Sequence, residues 1–381
     1  MTDWKSSLRA DPTPWLLEVG CPAIRYRTLT ELLERGKDDP DVQAAHKDLL
    51  EYGPAVKLQK SQKKDGSWGT AIHASDPKKL QTCTENALMQ LYEMGWNRDT
   101  KTVRAAAKLL RSYVSGKKDV KFYEFAKVVK ADDRRQDFYR WFLRILCLNL
   151  LLRAGYLDER SRGALLDLLE LTAGFVENPI SRDPVEEIGA SHPMIRMAGW
   201  RQGYAFIPDV YILQTFASSP WLLDGELAKI RLKKIFDYVL SPTYQALAPD
   251  IGLVRTSKGS FVKGHGLKLR TVEEYQKQGN VDELLVNLEL MARLGLVNRY
   301  PLLMSHMDWV VSQQTKDGRW SLSTKLWSDT SRWAQLLRLE KDWRSPARKE
   351  ADMTFRVLLI LKHQWERQMR MLDRRDDGYP I

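Results

Sequence analysis

Only three cysteines occur in 381 residues, Cys21, Cys83 and Cys147, and no two of them form a C-x-x-C pair. That excludes a disulfide framework and a cysteine-built structural zinc site, and it predicts a reducing compartment. No apolar run reaches the roughly 18 residues a membrane span needs. The longest, Phe142 to Leu152, is interrupted by Arg144. The opening residues, MTDWKSSLRADPTPW, hold no apolar stretch of the signal-peptide kind. A soluble cytoplasmic protein is therefore expected. With 22 Gly and 16 Pro the chain is neither collagen-like nor of low complexity. Segments alternating with a period of two are almost absent, which argues against a sheet protein.

Tryptophan is plentiful, at 13 residues. Each ring needs packing and each N–H a partner, so an aromatic-rich interior or pocket is expected. Lys and Arg total 60 against 49 acids, a net charge of +11. The basic residues are dispersed, with short clusters at Lys57–Lys64 and Lys117–Lys130. No basic arm or nucleic-acid motif is present, so no nucleic-acid partner is expected. A solvated basic surface is the plain reading, and peripheral contact with an anionic membrane is the alternative.

Helical periodicity dominates and recurs as helix, short turn, helix. Five such pairs read Pro22–Arg35 with Asp41–Leu58, Thr84–Met94 with Lys101–Val114, Asp137–Arg153 with Glu159–Val176, Asp209–Phe216 with Glu226–Leu240, and Val281–Leu294 with Arg299–Gln313. A sixth starts near Glu350, runs to Lys362, and is followed by a final helix to about Arg374. A regular interval of helix pairs marks a repeat architecture. Six hairpins can close into a ring, so the expected fold is all-α, an (α/α)6 toroid forming a single domain over residues 1–381. The first helix of each pair is the more apolar, as in Phe138–Leu152 and Met353–Leu361, and should lie inside. The second helices carry charges such as Glu170, Lys229 and Arg231 and should lie outside. The long connections 59–83, 115–136, 177–208, 241–280 and 314–349 would then share one end with the inner-helix N-termini. Long loops in compact domains are commonly functional, which makes that end the expected functional face.

Two of these connections contain the same motif. Gln62-Lys-Lys-Asp65-Gly66-Ser67-Trp68 and Gln314-Thr-Lys-Asp317-Gly318-Arg319-Trp320 both read Q-x-x-D-G-x-W. The Gly suits a left-handed turn. The Gln can bond backbone groups freed at a helix end, and the Trp can cover them. The pattern resembles the QW repeat of squalene/oxidosqualene cyclases and the related Gly-rich repeat of protein prenyltransferase β subunits. Strictly the resemblance rests on these two heptapeptides, and loosely, through the hairpins, it spans most of the chain. It implies an α/α toroid with a central cavity for an apolar or isoprenoid-type small molecule.

The sequence also departs from those families. It has no D-x-D-D proton-donor motif. Asp38-Asp39-Pro40-Asp41 comes nearest, but it lies in a short turn where Asp is a common helix cap. The Asp, Cys and His zinc set of prenyltransferases is not reproduced by Cys83 and His73, and the Cys-Cys-His set of lanthionine-cyclase toroids is also missing. No metal and no cofactor is therefore expected. Asp132-Asp133-Arg134-Arg135-Gln136-Asp137 resembles a D-D-x-x-x-D metal–diphosphate box, but two arginines interrupt it and it reads as a charged helix start.

Candidate chemistry then falls to polar residues at inner-helix N-termini, among them Glu85, Asp209, Tyr211, Glu350 and Asp352. Asp209 lies in the apolar, aromatic stretch Tyr204-Ala-Phe206-Ile-Pro-Asp209-Val-Tyr211. Desolvation there would suit its carboxyl to general acid work, with a helix cap as the plain alternative. His192 is the second catalytic candidate, as a proton carrier near neutral pH. Arg196 could hold an anionic group. Trp200, Tyr204 and Phe206 could wall a cavity and stabilise a cation through their faces, and Tyr211 and Glu85 are further substrate-binding candidates. Trp327, Trp333 and Trp343, interleaved with arginines over Lys325–Arg348, read as a loop closing over the ring. Three functions remain open: a terpene cyclase, isomerase or prenyltransferase-like enzyme started by a non-standard acid, a non-catalytic binding or scaffold toroid, and a carbohydrate-active (α/α)6 enzyme.

Overall fold

A computed structural model describes residues 3–74, 79, 82–119, 133–186, 194–195, 206–247, 253–256, 259–262, 265–323 and 338–376. The fold is all-α in class, and helices carry the core. The chain divides into two compact units. The first comprises Met1–Ser61, Met89–Trp96 and Leu269–Ile381, and the second Gln62–Leu88 and Asn97–Lys268.

The first unit is organised around the Pro346–Asp376 helix, which packs against Val281–Leu294. From Ala351 to Lys362 every residue of that helix is buried. A helix apolar nearly all round must be enclosed on all sides. The expected break near Lys362 does not occur. No Gly or Pro follows Pro346 before Asp376, so nothing local stops the helix, and the sixth pair is one continuous helix of 31 residues. The helix expected over Asp41–Leu58 is instead two, Pro40–Leu50 and Gly53–Ser61. Pro54 lacks an N–H to continue the first ladder, and its ring suits the opening turn of the next helix. A Thr13–Val19 helix, not anticipated from the sequence, precedes Pro22–Arg27.

In the second unit the Asp133–Arg153 helix packs against Lys101–Val114 and Val210–Ala217, while Glu159–Glu177 packs against Glu226–Val239. The apolar Asp133–Arg153 and Val210–Ala217 helices are neighbours, and the amphipathic Lys101–Val114 helix lays its apolar stripe against Asp133–Arg153. Among the described residues, four short strands decorate this unit: Val185–Glu186, Met194–Ile195, Leu253–Thr256 and Gly259–Val262. They form one sheet in chain order, antiparallel except between the second and third strands, where Met194 pairs with Leu253. Strands of two to four residues are too short to show a period of two, which is why the sequence pattern did not reveal them. Among the described residues, no helix is long and apolar enough to cross a membrane.

The two Q-x-x-D-G-x-W segments build the same local structure, one in each unit. Gln62 Nε2 donates to Gly66 O at 3.1 Å and to Thr102 O at 2.9 Å. Gln314 Nε2 donates to Gly318 O at 2.9 Å and to Ala10 O at 3.0 Å. Trp68 N–H donates to Thr84 Oγ1, and Trp320 N–H to Thr354 Oγ1, both at 3.0 Å. Gly66 and Gly318 both have left-handed backbones, with φ of +88° and +82°. A Cβ on either would lie 2.4 Å from a carbonyl oxygen, that of Ala105 or of Ala10. Each motif thus ties a tight turn to the start of a neighbouring helical segment and to a threonine on a buried helix. The segment leading into Thr13–Val19 serves the second motif as the opening of Lys101–Val114 serves the first.

Candidate functional site

Within the second unit, the start of the Thr84–Glu93 helix brings Glu85 against His73. Glu85 Oε2 lies 2.7 Å from His73 Nδ1, and both side chains are nearly enclosed. A carboxylate at Nδ1 favours the tautomer that carries its proton there and leaves the lone pair on Nε2. Aromatic rings surround the pair. His73 meets Phe142 edge-on at 5.0 Å and Tyr211 at 6.3 Å, and Phe142 meets Tyr211 at 5.3 Å. Phe142 comes from the Asp133–Arg153 helix and Tyr211 from Val210–Ala217. Burial pushes the Tyr211 phenol well above its ordinary pKa, and the carboxylates of Glu85 and Asp209 add to the rise. It therefore stays a neutral hydroxyl. The arrangement combines a polar acid–base pair with apolar walls and edges.

Asp209 is buried, as its apolar surroundings predict. Its carboxylate accepts the Ile212 N–H at 2.9 Å, which makes it the N-cap of Val210–Ala217. Phe206 is buried and meets Trp141 edge-on at 5.0 Å. Of the residues expected at the site, the structure brings Glu85 and Tyr211 together through His73. His192, Arg196, Trp200 and Tyr204 lie outside the described residues, as do Trp327 and Trp333. Nothing local in the sequence marks His73 for this role. Its partner is 12 residues away across a connection whose path no local pattern reports.

The first unit holds a second acidic cluster. Asp352, buried in the Pro346–Asp376 helix, accepts backbone N–H groups from Leu339 at 3.0 Å and Glu340 at 3.2 Å. The Trp343 indole N–H donates to the same carboxylate at 2.6 Å. Burial outweighs these donors, and with Glu340 nearby the Asp352 pKa is raised to about 7. Glu340, also raised by burial, accepts the Cys21 N–H at 2.7 Å. Burial and the two carboxyls push the Cys21 thiol far up, so it is no nucleophile. Trp343, read from the sequence as part of a closing loop, is thus an anchor onto Asp352.

Asp39 caps the Pro40–Leu50 helix through the Asp41 and Val42 N–H groups, as its place in the turn predicts. Of the D-D-x-x-x-D segment, Asp137 pairs with Arg140 at 3.1 Å, and Asp132 lies outside the described residues. Among the described residues, no three or more His, Cys, Asp or Glu side chains come together as a metal ion would require. Comparisons with protein-family models, with curated proteins and with solved structures find no match.

Proposed function

We propose that this chain is an α/α toroid of the kind its Q-x-x-D-G-x-W motifs resemble, and that it binds an apolar, isoprenoid-type small molecule. The observation that carries the reading is the buried Glu85–His73 pair set among the rings of Phe142 and Tyr211. Such walls suit a hydrocarbon ligand, and the pair suits one polar group on it. The ring faces would also favour a cationic centre.

A binding protein without catalysis is the second reading, and the capping role of Asp209 favours it. A carboxylate engaged as the cap of Val210–Ala217 has a structural role that needs no chemistry. If catalysis occurs, the Glu85–His73 pair is its acid–base group, and it donates a proton only once His73 Nε2 is protonated.

The test is a titration of the purified protein with farnesol and with squalene, followed by tryptophan fluorescence. Saturable binding is expected. Phe142→Leu and Glu85→Gln should each weaken it about tenfold while leaving the fold intact. Wild-type protein that binds neither compound would overturn the reading. Gas chromatography of the squalene incubation then separates the two readings, since a cyclase gives a new product and a binding protein returns squalene.

A further inference from the structure

A cavity of about 190 Å³ opens in the second unit between the end of the Lys101–Val114 helix and the Asp133–Arg153 helix. Its charged lining is Lys118, Arg140, Arg144 and Asp119, with Tyr113, Gly116 and Leu143 completing the wall. Three cations and one anion line it, a surplus of two positive charges.

The cations differ in how they are satisfied. Arg140 is held by two carboxylates. It grips Asp119 with two bonds, at 3.0 and 3.1 Å, and reaches Asp137 at 3.1 Å. Arg144, one helical turn further on, is half-buried and has no carboxylate or hydrogen-bond acceptor among the described residues. Its guanidinium lies over the Trp141 ring, 5.5 Å from the centroid. That contact positions the group and leaves its N–H donors unspent. Gly116 makes room for it, because a Cβ there would stand 3.0 Å from Arg144 Nη2. The carbonyls at the end of the Lys101–Val114 helix do not compete for it. Ser115, Gly116 and Lys118 N–H groups already cap Arg111, Tyr113 and Ser112 carbonyls.

We propose that this cavity is a binding site for a phosphate-class oxyanion, with Arg144 as its principal ligand and Lys118 as a second charge. A guanidinium fork matches a tetrahedral oxyanion in geometry and charge, and Arg is suited to such recognition where Lys is only a point charge. The volume accommodates an anionic head group and falls below the roughly 300 Å³ at which pockets for drug-sized molecules begin. The site stands apart from the Glu85–His73 pair and does not depend on the apolar-ligand reading. The phosphate group could belong to a soluble ester or to a lipid headgroup.

The experiment is isothermal titration of the full chain with inorganic phosphate at low ionic strength, for wild type, Arg144→Gln and Lys229→Gln. Lys229 is a half-exposed residue of Glu226–Val239, paired with Glu226, and controls for loss of one charge. Wild type and Lys229→Gln should bind alike, and Arg144→Gln at least about tenfold more weakly. Because Arg144 makes no hydrogen bond or ion pair with a described residue and only overlies Trp141, its variant should melt close to wild type, which separates loss of binding from loss of fold. Co-sedimentation with phosphatidic acid vesicles, against phosphatidylcholine alone, distinguishes the source. Arg144-dependent sedimentation supports a lipid headgroup, and phosphate binding without it supports a soluble ester. Wild type that binds neither phosphate nor vesicles, or an Arg144→Gln variant that binds as wild type does, overturns the proposal.

Discussion

Arg356 and Glu93 meet at 2.6 Å in the first unit although 263 residues separate them in the chain. Arg356 spends its other amino group on Glu289 at 2.8 Å, so one guanidinium joins two acids. Arg27 approaches Glu93 from the other side, donating to its carbonyl at 2.7 Å, while holding Glu31 with two bonds. Burial alone would raise the Glu289 pKa, but Arg356 beside it wins and holds it below the ordinary value. Arg356→Met leaves two shielded acids facing one another. It should cost about 3–5 kcal/mol in urea denaturation, since breaking a buried pair strands its partner. Adding Glu93→Gln to Arg356→Met should recover part of that loss. A single variant as stable as wild type would remove this network from the account of stability.

The Asp352 carboxyl gives stability a pH dependence. Its folded pKa is raised to about 7 from an ordinary 3.8, so between those values the folded state keeps a proton that the unfolded state has lost. Its contribution is therefore fully present below the unfolded value and is lost as pH rises through about 7. Glu340 is shifted in the same direction and reinforces the trend. Thermal melts of wild type should fall from pH 5 towards pH 8 relative to Asp352→Asn, by an amount on the order of a few kcal/mol. Parallel curves for the two proteins would refute the assignment.

Gly66→Ala and Gly318→Ala should be damaging to a similar degree. Each would force a side chain into a left-handed backbone and against a carbonyl oxygen at 2.4 Å. A loss of roughly 1–3 kcal/mol is expected for each, measured by chemical denaturation. Gly36→Ala is the control, because nothing lies within 4 Å of its Cβ position. Unequal effects at the two motif glycines would mean that the two turns are not equivalent.

Asp209 can be tested as a cap. Asn caps about as well as Asp, so Asp209→Asn should stay close to wild type in stability, whereas Asp209→Ala should lose about 1 kcal/mol. If binding or turnover collapses in Asp209→Asn while its melt is unchanged, the carboxylate has a chemical role that capping does not explain.

Much of the helix order was legible because helix signals are local. Lys101–Val114 and Val281–Leu294 begin and end where the apolar period and the flanking Gly or Asn say they should. The break at Gly53-Pro54 is equally local, but the apolar pattern continues across it and masks it. In the candidate site, Glu85 and Tyr211 stood out as polar residues at the starts of apolar helices, and both lie beside His73. His73 itself sits in a connection, where periodicity carries no information about what a side chain will meet.

Local sequence was enough for the all-α class, for most of the helices and for the two turns built by Gln62–Trp68 and Gln314–Trp320. Those depend on backbone propensity, on glycine's tolerance of positive φ, and on side chains a few residues apart. Tertiary structure alone decided which charges were buried together. Nothing local distinguishes Arg356, tied to Glu93 and Glu289, from Arg144, which has no acceptor among the described residues. Both are arginines on largely apolar helices, and only the packing of distant segments supplies a carboxylate to one and a cavity to the other.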